Sequence, residues 1–246
     1  DDINEVIKVL KSEMITQGPL VERFEKTICS YTSSNYSALT NSATSALHIS
    51  CLALGLSEGD ILWTSPNSYV ASANVGLLCN AEVDFVDIDS ETYNMCSTAL
   101  SMKLRDAEKN GKLPKIVMPV HFAGQSCDMI NIKKLSEKYG FKIIEDASHA
   151  IGGVYKNTKI GSCKFSDITV FSFHPVKIIT TAEGGCATTN DENTFEKLKL
   201  LCSHGVTRNP KNMVKKTLDK WVYDQISIGF NYRMSDMNAA LGLSQL

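Results

Sequence analysis

Lys142-Ile143-Ile144-Glu145-Asp146-Ala147-Ser148-His149-Ala150 is the stretch on which the fold turns. It begins as a short run of branched apolar residues, meets two carboxylates where that run stops, and continues in small polar residues. A short apolar run bounded in this way reads as a strand buried on both faces, the kind found in parallel sheets whose crossovers cover both sides. Working outward, similar runs recur at Tyr36–Leu39, Ile61–Thr64, Val83–Ile88, Ile116–Val120, Ile168–Phe173 and Cys186–Thr189. Segments of helical period lie between them: Thr44–Leu54, closed by Gly55 as a C-cap, Ser68–Cys79, Met129–Tyr139 and Glu192–Cys202. A further helix is expected from Ser235 to Leu246. This alternation predicts an α/β fold, a mostly parallel sheet flanked by helices. Ligands of such sheets bind beyond the carboxyl ends of the strands, so the chemistry should follow the strand ends directly.

Composition narrows the function classes. At 246 residues the chain has room for one large domain or two small ones, and 43% apolar with 21% charged residues is ordinary for a globular protein. A net charge of -2 offers no basic footprint for nucleic acid and no polybasic patch for a membrane surface. No apolar stretch reaches the length of a transmembrane helix. The acidic opening, Asp1-Asp2-Ile3-Asn4-Glu5, has no signal-peptide pattern, and a cytoplasmic location is the expectation. The eight cysteines are scattered, without CxxC spacing and mostly in apolar runs such as Leu77-Leu78-Cys79. They read as buried reduced thiols, with no disulfide framework and no metal site. The chain lacks an initiator Met and stops inside an expected helix, which points to a piece of a longer protein.

Four local patterns carry chemistry. A carboxylate at a buried strand end, as at Asp146, needs hydrogen-bond donors or a cation to offset its desolvation. A protonated pyridine nitrogen is one such partner, and capping of the next helix is the plainer alternative. The next strand ends in Phe171-Ser172-Phe173-His174-Pro175-Val176-Lys177, followed by Thr180-Thr181-Ala182-Glu183-Gly184-Gly185. A lysine there can attack an aldehyde to form an imine and later move a proton, or it can be a solvated surface lysine. Ser172 can donate to a phosphate or satisfy a backbone group. Asn41-Ser42-Ala43-Thr44-Ser45-Ala46-Leu47-His48 joins a strand to a helix, and free amides at a helix start form an anion site. The helix dipole adds about 0.3–1 kcal/mol there. The glycines and the Gly-Lys-Ser/Thr ending of a Walker loop are absent. Thr64-Ser65-Pro66-Asn67-Ser68-Tyr69 places an aromatic after a strand, where Tyr69 can stack on a flat heterocycle or simply pack.

The order and spacing of these patterns, with Ile15-Thr16-Gln17-Gly18-Pro19, Phe24-Glu25 and Gly229-Phe230-Asn231-Tyr232-Arg233-Met234, resemble the DegT/DnrJ/EryC1/StrS family. These are fold-type I, pyridoxal-phosphate (PLP) dependent aminotransferases of nucleotide-linked keto sugars. The resemblance implies the large domain of a fold-type I transferase over residues 1–246. It would be a three-layer α/β/α sandwich with an N-terminal lead-in of about residues 1–30 and no C-terminal small domain. It implies Lys177 as the Schiff-base lysine, Asp146 on the pyridine nitrogen, Tyr69 stacked on the ring and His149 near the ring hydroxyl. Ala43, Thr44 and Ser172 would hold the phosphate, with Asn231 reaching it from the partner subunit of a homodimer with shared active sites. Arg233 would bind the carboxylate of the amino donor, glutamate, or form a structural ion pair.

Asn41 to His48, Thr180–Gly185, Ser203–Arg208 and Trp221–Gln225 look most like the branch of the family that serves pseudaminic-acid type pathways. That branch aminates C4 of a UDP-linked 4-keto-6-deoxy-N-acetylhexosamine. Three alternatives stand beside it: another keto sugar (dTDP-linked or 3-keto), a sugar 3-dehydratase, or a PLP-binding dimer module without turnover. The dehydratase is disfavoured because such enzymes carry His where this chain has Lys177.

Overall fold

Alternating side chains place the inner strands of a central sheet between two layers of helices. The computed structural model describes residues 1–214 and 221–246. Its strands are β1 (Tyr36–Thr40), β2 (Ile61–Thr64), β3 (Glu82–Phe85), β4 (Ile116–Met118) and β5 (Lys142–Asp146), then a small hairpin of β6 (Val154–Tyr155) and β7 (Thr158–Lys159). After these come β8 (Ile168–Ser172), β9 (Gly185–Thr189) and a short ribbon, β10 (Val206–Thr207) with β11 (Asp224–Gln225). The helices are α1 (Asp2–Leu10), α2 (Pro19–Thr32), α3 (Ala43–Ala53), α4 (Ala71–Leu78), α5 (Ser97–Lys109), α6 (Met129–Tyr139), α7 (Glu192–Cys202) and α8 (Asp236–Gln245).

The main sheet has the order β1-β9-β8-β5-β4-β2-β3. Strands β3, β2, β4, β5 and β8 run parallel, while β9 runs antiparallel to both β8 and β1. Leu62, Ile116, Met118, Ile144, Ile168, Val170 and Ala187 pack on one face, together with residues of α3, α4 and α7. Their chain neighbours point the other way: Trp63, Val117 and Ile143 meet α5 and α6, and Leu39, Phe171 and Cys186 meet α2 and α8. The result is a helix-flanked, mostly parallel sheet, as the alternation predicts, in the three-layer form that the family resemblance implies. Each large side chain so buried contributes about 1.5–3 kcal/mol.

All seven expected strands enter this sheet, with ends shifted by a few residues. Strand β4 stops at Met118 because Pro119 has no amide to donate, although Val120 still bridges Asp146. The expected helix at Ser68–Cys79 starts only at Ala71, since residues 68–70 form a turn in which Tyr69 O accepts the Ser72 amide at 3.2 Å. The lead-in of about residues 1–30 consists largely of α1 and α2, and α2 begins at a Gly18-Pro19 start signal. Helix α5 was also unanticipated, though its buried Leu100, Leu104 and Ala107 recur at helical spacing. No helix among the described residues is long and apolar enough to cross a membrane.

Candidate active site

The carboxyl ends of β5 and β8, the turn before α4 and the start of α3 converge on a cavity of about 520 Å³. Ser42 caps α3 by accepting the Ser45 amide at 3.1 Å, and its carbonyl accepts the Ala46 amide. The Ala43 and Thr44 amides, as the first two helical positions, have no carbonyl one turn back to bond. Ser172, the last residue of β8, is buried beside them on the cavity wall. Gly185 permits this close approach, since a Cβ there would stand 2.5 Å from the Ala43 nitrogen.

Asp146 ends β5 with its carboxylate buried. Oδ1 accepts from the Ser148 hydroxyl at 2.6 Å and the Ser148 amide at 3.1 Å, and Oδ2 accepts from the Ser72 hydroxyl at 2.7 Å. These donors come from neutral groups, and the cavity lies on the remaining side. Lys177 stands on the same cavity, on the 173–184 loop that joins β8 to β9. The base of this loop is tied by Phe173 N–H to Gly184 O and Thr181 N–H to Phe173 O, both 2.9 Å. Partial burial pulls the Lys177 ammonium below the ordinary lysine range, and the Asp146 charge opposes that pull. His149 is likewise held below the usual histidine value, first by burial and then by the Lys177 charge, with Asp146 again opposing. Tyr69 is 77% exposed at the cavity mouth, so its ring is no core element and is free to cover a ligand.

Not every expected residue gathers here. Asn231 is exposed and does not line this cavity; its carbonyl accepts from Asn41 Nδ2 at 3.4 Å, next to the cavity-lining Ser42. Arg233 lines a separate cavity of about 500 Å³ with Glu22, Glu25 and Lys199, and donates to Ser203 Oγ at 3.1 Å. Of its two expected roles, the structural ion pair is absent among the described residues. Sequence reasoning missed Ser72 and Ser148. The second was legible, since a Ser two residues after an Asp commonly bonds back to it. The first sits 74 residues from its partner and left no local sign.

A flat phosphorylated pyridine suits these residues. The free amides of Ala43 and Thr44 with the Ser172 hydroxyl match a phosphate, no cation pairs with the buried Asp146 among the described residues, and the Lys177 amine lines the same cavity. The fold and site thus define an α/β protein built to hold such a ring beside a lysine. Comparison with known proteins agrees: the DegT/DnrJ/EryC1/StrS aminotransferase family matches residues 1–246, and the chain belongs to it. This is a family of PLP-dependent aminotransferases. The chain is 42% identical over 246 residues to the UDP-4-amino-4,6-dideoxy-N-acetyl-beta-L-altrosamine transaminase of Campylobacter jejuni, covering all of this chain and 61% of that protein. Among solved structures it resembles Helicobacter pylori PseC, an aminotransferase of pseudoaminic acid biosynthesis, with TM-score 0.87 and 34% identity over 99% of this chain and 62% of that one. The PLP form of the sugar aminotransferase Spr1654 from Streptococcus pneumoniae superposes with TM-score 0.85 and 30% identity over 99% of this chain and 63% of that one. The chain therefore spans a little over three fifths of the length of these relatives.

Proposed function

We propose that residues 1–246 are the cofactor-binding large domain of a cytoplasmic aminotransferase. It would move an amino group from glutamate to C4 of a UDP-linked 4-keto-6-deoxy-N-acetylhexosamine. The observation that carries this reading is that Lys177 and the buried Asp146, unpaired with any cation among the described residues, line one cavity. The choice of sugar rests on the 42% identity to the altrosamine-forming transaminase. Bound here, PLP supplies an electron sink for the charge that develops on the reacting carbon. The chain's own residues do the rest. Ala43 and Thr44 amides and Ser172 Oγ hold the phosphate; Asp146 keeps a proton on the ring nitrogen; Tyr69 covers one ring face; His149 lies near the ring hydroxyl. Lys177 Nζ takes a proton from the substrate carbon and returns it elsewhere, and its burial raises the share of free amine available for that work.

The direct test is borohydride reduction of the PLP-loaded protein followed by peptide mapping. Lys177 should carry the label, and Lys177→Ala should lose both label and transamination while keeping its fold. Label on another lysine, with Lys177 clean, refutes the assignment.

The active unit is proposed to be a homodimer in which Asn231 of one copy completes the phosphate site of the other. Its exposure, and its absence from the lining of its own cavity, support this. Losing that charged hydrogen bond should cost about 1.5–3 kcal/mol, roughly ten- to a hundred-fold in cofactor affinity. Mixing Lys177→Ala with Asn231→Ala at low PLP should restore activity above the sum of the two, because one site of each mixed dimer is whole. Confirmed subunit exchange without restored activity removes the cross-subunit role. A cofactor-binding dimer module without turnover is the second reading. Glutamate added to the loaded protein separates the two: a competent site changes its absorption spectrum without any sugar.

A further inference from the structure

Asp146 is held from two sides, and only one belongs to its own turn. Ser148 lies two residues on, whereas Ser72 arrives from α4 and bonds Oδ2 at 2.7 Å. Ser72 is 1% exposed, and its Oγ lies 2.7 Å from that of Ser68, which lines the cavity. A hydroxyl has one proton to donate, and an ionised carboxylate only accepts. Ser72 therefore gives its proton to Asp146, and Ser68 must be the donor to Ser72. The bonds run in one direction, from Ser68 through Ser72 to the carboxylate.

Ser72 also has a second attachment. Its amide donates to the carbonyl of Tyr69 at 3.2 Å, closing the turn that leads into α4. That helix starts without a side-chain cap of its own. One residue thus joins the aromatic at the cavity mouth, through its backbone, to the carboxylate at the cavity floor, through its hydroxyl.

We propose that Ser72 is a positioning residue that sets the spacing between the Tyr69 ring and the Asp146 carboxylate. A flat ring lying against Tyr69 is then presented with its nitrogen opposite Asp146. Packing alone would leave the start of α4 free to slide against β5, and the directed hydrogen bond removes that freedom. The inference rests on the cofactor site proposed above and deepens it.

The test measures PLP dissociation constants by fluorescence titration of the cofactor-free protein, well below its thermal midpoint, for Ser72→Ala and Ser72→Thr. Alanine should weaken binding roughly ten-fold or more, the loss expected when a charged hydrogen bond disappears. Threonine keeps the hydroxyl and should bind within a few-fold of the parent. If alanine lowers the thermal midpoint but leaves the dissociation constant unchanged, Ser72 only packs the helix and the positioning role is wrong. Should the alanine protein fail to fold, Ser72→Thr against Ser72→Cys carries the comparison. Equal affinity in that pair overturns the proposal, and weaker binding by the thiol sustains it. Borohydride trapping at Lys177 runs in parallel. Trapping with an unaffected Ser72→Ala sinks the positioning role alone, whereas no trapping at Lys177 sinks the site itself.

Discussion

Glu145 and Asp146 are consecutive on β5 and almost equally buried, at 5% and 4% exposure, yet they face opposite sides of the sheet. Glu145 is closed on all sides. Ser166 and Thr169 hydroxyls donate to Oε1 at 2.5 and 3.1 Å, and Oε2 meets His121 Nε2 at 2.7 Å. Burial works against a charge on the His121 ring while its hydrogen bonds work for it. The Cys127 amide, which donates to Nδ1 at 3.1 Å, decides the matter: a second ring proton would face it head-on, so His121 is neutral and gives its Nε2 proton to Glu145. Among the described residues Asp146 has the neutral donors of Ser72 and Ser148, and a cavity lies before it. The pair teaches that burial alone does not mark a functional carboxylate. What separates them is whether the protein itself completes the hydrogen-bond shell.

The hardest blow to that contrast falls on the closed side. His121→Ala leaves Glu145 charged, buried and one donor short and opens a cavity where the ring packed, and should cost about 3–5 kcal/mol in denaturant unfolding at pH 7. A loss below about 1 kcal/mol, the scale of an exposed ion pair, would mean that Glu145 is not held as described. On the open side the effect should move from stability to turnover. Asp146→Asn keeps the shape but cannot hold a ring proton, so at saturating PLP turnover should fall roughly 10²–10³-fold, as for loss of one aligned electrostatic group. Unfolding of the cofactor-free protein should barely change, and parental turnover of glutamate would end the electron-sink role.

Glu145→Gln sharpens the comparison more gently. With its carbonyl on the His121 Nε2 proton, a Gln amide would turn its own protons toward the Ser166 and Thr169 hydroxyls, which donate to the carboxylate in the parent. The mismatch should cost about 1–3 kcal/mol. The acid side offers a further check. Burial raises the Glu145 proton affinity, but the His121, Ser166 and Thr169 hydrogen bonds outweigh it and leave the group below its ordinary value of 4.5. A depressed carboxylate contributes stability above its unfolded value and loses it as pH falls through the folded one. The gap between parent and Glu145→Gln should therefore narrow below pH 4.5, and a constant gap down to pH 3 would contradict the assignment.

Much of this is legible in the sequence. Branched runs ending in polar residues specify strands locally, which is why the seven-stranded sheet and the strand-end placement of Asp146 and Lys177 could be read directly. The family pattern supplied their chemical roles, because a lone Asp or Lys at a strand end permits bland readings as well. Helices α1 and α2 were harder to read, since the segment mixes polar and apolar residues and its strongest local sign was Gly18-Pro19.

By itself the sequence determined the sheet's membership, the strand ends where chemistry gathers, and the lysine and carboxylate placed there. Tertiary structure alone decided which of two adjacent carboxylates is closed and which is open. It also brought Ser72 to Asp146 across 74 residues and left Asn231 and Arg233 out of the lining of the Lys177 cavity. Periodicity is written in neighbouring residues, whereas a hydrogen-bond shell is completed by groups distant in the chain that meet only when helices pack on the sheet.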